Sequence, residues 1–275
     1  MSSQQQIIAR PKVMGIVNAT PDSFSDGGRF LAPEAALDHA RRLISEGADI
    51  LDVGAESTRP GADPVSAEVE IGRIVPLVRA IRAESAVPIS VDTMKPEVAR
   101  AAMAAGATIW NDVTALRYAP DSPAVAAELG CEVVLMHMQG EPRTMQAEPH
   151  YDDVAAEVAA FLLARAEAAM AAGVARERIW LDPGIGFGKH TTRHNLPLLA
   201  GLDRIVALGF PVLLGASRKA FIGALDGGAK AGQRLGGSIA AALAGASAGV
   251  AAVRVHDVRE TVQALAVEAA IRQAR

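Results

Sequence analysis

Residues 88–114 read PISVDTMKPEVARAAMAAGATIWNDVT. A short apolar run over 88–92 ends in Asp92, a polar turn follows, and an Ala-rich stretch over 96–105 has helical character. A second apolar run over 109–112 then ends in Asn111 and Asp112. The same order of apolar run, polar or Gly-containing turn and Ala/Leu-rich helical stretch recurs on both sides. Strands are predicted at 13–18, 50–54, 88–92, 109–112, 132–136, 179–182, 211–215 and 253–255. Helices are predicted at 33–46, 67–84, 96–105, 122–129, 152–172, 196–208, 237–249 and 258–273. Such alternation calls for a parallel sheet covered by helices. A chain of 275 residues lies close to the roughly 250 of one (β/α)₈ barrel, so closure is expected over an open sheet. No linker, charge block or low-complexity segment divides it, and 1–275 reads as a single α/β domain. The segment 7–10 is expected to add a strand that plugs the barrel bottom.

Composition narrows the function. The net charge of −4, with no dense run of Lys or Arg, lacks the footprint that sequence-independent nucleic-acid binding requires. A single cysteine, Cys131, excludes an internal disulfide and fits a reducing, cytoplasmic setting. It precedes the strand-like EVVLM and reads as an inert core thiol. The first residues, MSSQQQIIARPK, have no apolar core of signal-peptide length. Residues 235–253 carry no charge, but their Gly, Ser and Ala give little drive into lipid, so no membrane partner is expected.

Barrels of this kind build their sites at the C-terminal strand ends. Those ends carry Asn18, Asp92, Asn111, Asp112 and Asp182, followed by Ser217, Arg218 and Lys219 after strand 7 and by Arg254 and His256 at strand 8. Capping of the next helix accounts for any one of them but poorly for all. Asp92, Asn111, Asp182 and Lys219 mix acceptors and donors in a way that suits a flat 2-amino-4-oxo pyrimidine edge. Asn18, Arg254 and His256 form a separate cationic and polar corner suited to an oxyanion. Met136 and His137, at the end of strand 5, border the mouth, His137 in a structural hydrogen-bonding role. The polar loops over 18–28 and 56–66, with Phe24 and Arg59 at their tips, have the composition of lids. DPGIGFGKH, from Asp182, is no phosphate loop: Pro183 stands where Gly is needed, and no Ser or Thr follows Lys189. His190 and His194 lack the intervening Glu of a zinc helix.

The runs MGIVNATPDSFSDGG (from Met14), DVGAESTRPGA (from Asp52), ISVDTMKPEVA (from Ile89), WNDVT (from Trp110), LMHMQGEPRTMQ (from Leu135), LDPGIGFGK (from Leu181), LLGASRKAFIG (from Leu213) and VRVHDV (from Val253) together resemble the dihydropteroate synthase family. They come in the family's order and cover nearly the whole chain. The resemblance implies a TIM barrel and a reaction in which p-aminobenzoate displaces the diphosphate of 7,8-dihydropterin-6-ylmethyl diphosphate. It implies that Asp92, Asn111, Asp182 and Lys219 hold the pterin, and that Asn18, Arg254 and His256 hold the diphosphate, with Mg²⁺ at Asn18. Thr58, Arg59, Pro60, Phe187, Ser217 and Lys219, with Phe24, would shape the p-aminobenzoate pocket. Met136 joins the substrate contacts, and Asp26 would steady the electron-poor methylene beside Lys219, Arg254 and His256. A homodimer is implied as well.

Two places depart from the family's pattern. The HTTRHN segment after Lys189 is one residue longer than usual, and the ALRYAP run has no glycine pair. A pterin-binding methyltransferase and a non-catalytic pterin-binding paralogue are the rival readings. The two lids, the SRK run and an intact Lys219 count against them.

Overall fold

A computed structural model describes residues 10–19, 28–54, 65–140 and 144–274. Within them, parallel strands β1 (Lys12–Asn18), β2 (Ile50–Gly54), β3 (Ile89–Asp92), β4 (Ile109–Asp112), β5 (Glu132–Met136), β6 (Ile179–Asp182), β7 (Leu213–Leu214) and β8 (Ala252–Val255) lie in the order β6-β5-β4-β3-β2-β1-β8-β7. The circle closes where Leu181 bridges Val212 in parallel and its N–H donates to the Pro211 carbonyl at 2.9 Å. The result is the TIM barrel that the alternation predicted.

Helices α1 (Gly28–Ser45), α2 (Ala67–Glu84), α3 (Pro96–Ala105), α4 (Ser122–Leu129), α5 (Val154–Ala171), α6 (Asn195–Ala200), α7 (Leu202–Val206), α8 (Ala220–Leu225), α9 (Leu235–Ala248) and α10 (Val258–Gln273) cover the sheet. Local chemistry fixes their ends. The Ser66 side chain accepts from the Val69 N–H ahead of α2, Asp153 accepts from Ala156 N–H at 3.1 Å ahead of α5, and α3 opens on Pro96. The charge-free stretch 235–253 resolves into α9 and β8. A Cβ at Gly245 would come within 2.6 Å of the Leu214 side chain, so the small residues there let α9 press on the barrel. Among the described residues no helix is long and apolar enough to cross a membrane.

Three expectations change. The helix predicted over 196–208 divides into α6 and α7 at Gly201, where a Cβ would meet that of Ala155 at 2.9 Å. Helix α8 was not anticipated. Strand β7 spans only Leu213–Leu214 of the expected 211–215, with Val212 held by an isolated bridge to Leu181. The plug strand expected over 7–10 lies, but for Arg10, outside the described residues; Arg10 pairs with Asp49 at 2.6 Å.

The barrel interior has two levels. Met14, Ile50, Ile109, Val134, Trp180, Leu213 and Ala252 form a buried apolar cluster inside the sheet, separate from the larger core between strands and helices. Side chains two residues apart on a strand share a face. Two residues past Ile50, Ile109, Trp180 and Ala252 stand Asp52, Asn111, Asp182 and Arg254. The inward face therefore changes from apolar to polar over one strand repeat.

After β4 the chain takes a left-handed path, with Ala115 at φ 54° and Leu116 at φ 59°, at the place where the family pattern has glycine. Non-glycine residues in this region cost roughly 1–2 kcal/mol each. Asp112 holds the turn: its carboxylate accepts from Thr114 N–H and hydroxyl, both at 2.7 Å, and from Leu116 N–H at 2.8 Å. Of the strand-end carboxylates, Asp112 thus serves the turn that follows it. We expect Asp112→Ala to lower unfolding free energy by about 2–4 kcal/mol, since buried N–H groups lose their acceptor. An unchanged midpoint in urea denaturation would contradict this role.

Candidate active site

The polar level opens into a cleft of about 360 Å³, its open mouth included, at the C-terminal strand ends. Asp92, Asn111, Asp182, Lys219 and Arg254 line its floor, and Met136 and Phe187 its side. Strand register sets the arrangement, with Asp92 opposite Gly54 and Asn111, and Met136 opposite Asp182.

Arg254 lies across this floor. Its Nε donates to Asp52 at 2.6 Å and one terminal nitrogen to Asp92 at 2.9 Å. The Asn111 amide contacts both oxygens of Asp52 at 3.4 Å. Asp52 is fully buried and was not picked out from sequence, where it stands in the middle of an apolar run rather than at its end. The period-two alternation from Ile50 is the signal that could have found it. Arg254 is correspondingly not part of a separate corner. It is tied into the layer that contains Asp92.

Burial pushes the Asp92 carboxyl up to about 7, with Arg254 pulling the other way and Asp52 adding to the rise. Burial also raises Asp182, against the Gly184 N–H that donates to it at 2.7 Å and the charge of Lys219. Lys219 is pushed down to about 8 by burial and by Arg254, and its ammonium lies 4.2 Å from the Phe187 ring centre. Burial and the nearby Arg218 and Arg254 lower His256 to about 4. It is therefore a neutral hydrogen-bonding group at pH 7, and the positive charge of that part of the cleft comes from Arg254. Its Nδ1 lies 2.9 Å from the Ser217 hydroxyl.

Arg218 sits at φ 57°, its Nε donating to Asp257 at 3.1 Å and its carbonyl accepting from Arg234 at 2.9 Å. Turned outward in this way, it separates Ser217, against His256, from Lys219, in the cleft. Backbone strain of this kind concentrates at functional sites. His137 is buried, with its Nδ1 2.9 Å from the ammonium of Lys189, a second residue that sequence reading passed over. The longer HTTRHN segment folds around its own side chains: Asn195 accepts from Gly186 N–H at 2.8 Å and donates to the His190 carbonyl at 3.1 Å. Cys131 is buried, and its thiol is pushed up to about 11. Asn18 is exposed at the end of β1. Phe24, Asp26, Thr58, Arg59 and Pro60 lie outside the described residues.

A cleft that presents carboxylates beside an ammonium, a carboxamide and a guanidinium can meet the full hydrogen-bonding edge of a planar heterocycle. Comparison with known proteins agrees. Residues 14–256 match the family described as pterin binding enzyme, and the chain belongs to that family. It is similar to the dihydropteroate synthase of Streptococcus pyogenes, 48% identical over 93% of each chain. Among solved structures, a Xanthomonas albilineans dihydropteroate synthase with 4-aminobenzoic acid superposes with a TM-score of 0.90 at 53% identity, covering 96% of this chain and 93% of that one. A second structure of that enzyme, in complex with 7,8-dihydropteroate, gives 0.87 at 50% identity, covering 96% and 94%. The protein is thus a transferase of the dihydropteroate synthase type.

Removing one partner of a buried ion pair leaves the other charge uncompensated, at a cost of about 3–5 kcal/mol. Asp52→Asn should therefore destabilise the protein by roughly that amount, and chemical denaturation measures it. A loss below ~0.5 kcal/mol, the usual range of surface changes, would show that Arg254 does not depend on Asp52.

Proposed function

We propose that the chain condenses 7,8-dihydropterin-6-ylmethyl diphosphate with p-aminobenzoate, giving 7,8-dihydropteroate and diphosphate for folate biosynthesis. The observation that carries this reading is the polar layer of Asp92, Asn111, Asp182 and Lys219 on an apolar floor, in a chain whose relatives hold 4-aminobenzoic acid and dihydropteroate. Asp92 and Asp182 accept from the ring N–H and amino groups of the pterin, while Lys219 and Asn111 donate to its oxygen and ring nitrogen. Arg254 fixes Asp92 and places a permanent positive charge where the diphosphate departs. His256, neutral, donates or accepts through the nitrogen not facing Ser217.

In the reaction the methylene–oxygen bond of the pterin breaks and its electron pair leaves with the diphosphate. The aniline nitrogen then bonds the methylene carbon and releases a proton to solvent. An aniline is already unprotonated at neutral pH, so the charge on the leaving group dominates the barrier. Asp26 would steady the cationic methylene, and Phe24, Thr58, Arg59, Pro60, Phe187 and Ser217 would frame the p-aminobenzoate ring. Among the described residues no group of three or more His, Cys, Asp or Glu forms a metal cage. Mg²⁺ commonly takes one protein oxygen and completes its shell with phosphate and water, and the exposed carboxamide of Asn18 fits that donor set. Bound there, the ion would supply charge neutralisation for the departing diphosphate. The protein would act as one cytoplasmic domain in a homodimer.

Diphosphate release from the pterin substrate only when p-aminobenzoate is present tests the reaction directly; no release would refute it. Asp182→Asn should weaken pterin binding about tenfold or more, because a donor then faces a donor. Calorimetry showing equal affinity would remove Asp182 from the site.

Pterin affinity should also depend on pH on both sides of neutrality. Below about 7 Asp92 holds a proton and cannot accept fully, so affinity rises as pH increases through that value. Above about 8 Lys219 loses its charge, and affinity falls. A flat profile between pH 6 and 9 would show that neither group bonds the ring in its charged form.

A further inference from the structure

Lys189 is 1% exposed and does not line the cleft, yet its ammonium makes contacts that all lead there. Its Nζ donates to the Gly184 carbonyl at 2.9 Å, to the Phe187 carbonyl at 3.0 Å and to His137 Nδ1 at 2.9 Å. An ammonium has three donors, and these acceptors use all of them. Burial together with the charge of Lys219 depresses the Lys189 ammonium and burial with that of Lys189 depresses His137, so the imidazole is neutral and free to accept at Nδ1.

Each acceptor belongs to a residue that sets part of the cleft. The Gly184 N–H donates to the Asp182 carboxylate at 2.7 Å, and the His137 N–H donates to the Asp182 carbonyl at 3.0 Å. The Phe187 ring carries the Lys219 ammonium 4.2 Å from its centre. The loop after β6 lies so close to the chain leaving β5 that a Cβ at Gly184 would fall 1.9 Å from the His137 carbonyl, and one at Gly188 2.2 Å from that of Gln139. Such packing turns backbone carbonyls inward, where they need a donor. A carbonyl-bound ammonium supplies it without bringing a carboxylate into the loop.

Resting on the function proposed above, we propose that Lys189 is a positioning residue for pterin recognition, holding the loop after β6 so that Gly184 orients Asp182 and Phe187 stacks on Lys219. Lys189→Met removes the ammonium and keeps most of the stem. Tyr151→Phe is the control, since it deletes only the neighbouring bond from the Tyr151 hydroxyl to the Gly188 carbonyl at 2.8 Å. Both variants should melt at lower temperature. Lys189→Met alone should raise the KM for the pterin diphosphate about tenfold or more while kcat changes less than about threefold, the size of effect expected for lost hydrogen bonds to a charged group. Calorimetry with a diphosphate-free pterin should show the same loss of affinity.

Unchanged pterin KM in a folded Lys189→Met protein would overturn the proposal, as would an equal rise in Tyr151→Phe. Should Lys189→Met not fold, Lys189→Gln carries the same measurements and outcomes. If neither variant folds, the lysine serves folding alone and the proposal fails. A wild-type protein that binds the diphosphate-free pterin but releases no diphosphate would refute the reaction and leave the Lys189 proposal standing on the calorimetric result.

Discussion

Arg254 lies where Asp52 and Asp92 meet, and the polar level of the barrel depends on that contact. An uncompensated carboxylate at this depth would not stay ionised. Asp52, Asp92 and Asp182 face Arg254 and Lys219, so three carboxylates share two cations in one layer. The layer holds one more acid than base, and Asp92, raised first by burial and further by the nearby carboxylate of Asp52, keeps its proton to unusually high pH. Such a surface is unfinished without a partner rich in N–H donors, which lowers the cost of keeping the carboxylates charged. Recognition and electrostatic balance are here the same event.

The fold was legible because its signals are local and repeated. Apolar runs of strand length alternated with Ala-rich helices, and helices α2, α3, α4 and α10 lie where their periodicity and punctuation put them. The cleft was legible where polar residues end strands, as with Asp92, Asn111 and Asp182. It was not legible where one side chain decides the state of another. Asp52 stands inside a run, and only the barrel's pleat turns it toward Arg254. Lys189 read as the end of a failed phosphate loop, because nothing in the order of residues reveals that its neighbours' carbonyls point inward. Nor does the order of residues show that burial and the two arginines nearby hold the His256 imidazole neutral well below its ordinary range.

Strain gathers near the same end of the molecule. Ala115, Leu116 and Arg218 are the non-glycine residues at positive φ among those described, and each follows a strand at its C-terminal end. Each is held by polar contacts from elsewhere: Asp112 and Arg165 around the first two, Asp257 and Arg234 around the third. Barrel strands supply the rigidity that lets such turns persist. The outward turn of Arg218 has the plainest effect, since it lets two adjacent positions serve different parts of one cleft.

The apolar level beneath the polar one makes the cleft a blind well. Met14, Ile50, Ile109, Trp180 and Leu213 stop it from below, each less than 10% exposed. A molecule resting on Asp92 and Asp182 has no exit through the barrel and must leave by the mouth it entered. Whatever binds above it is also its cork. Traffic through such a well is last in, first out, so the deepest ligand sets the slowest exchange, and a compound occupying only the upper part still imprisons what lies beneath.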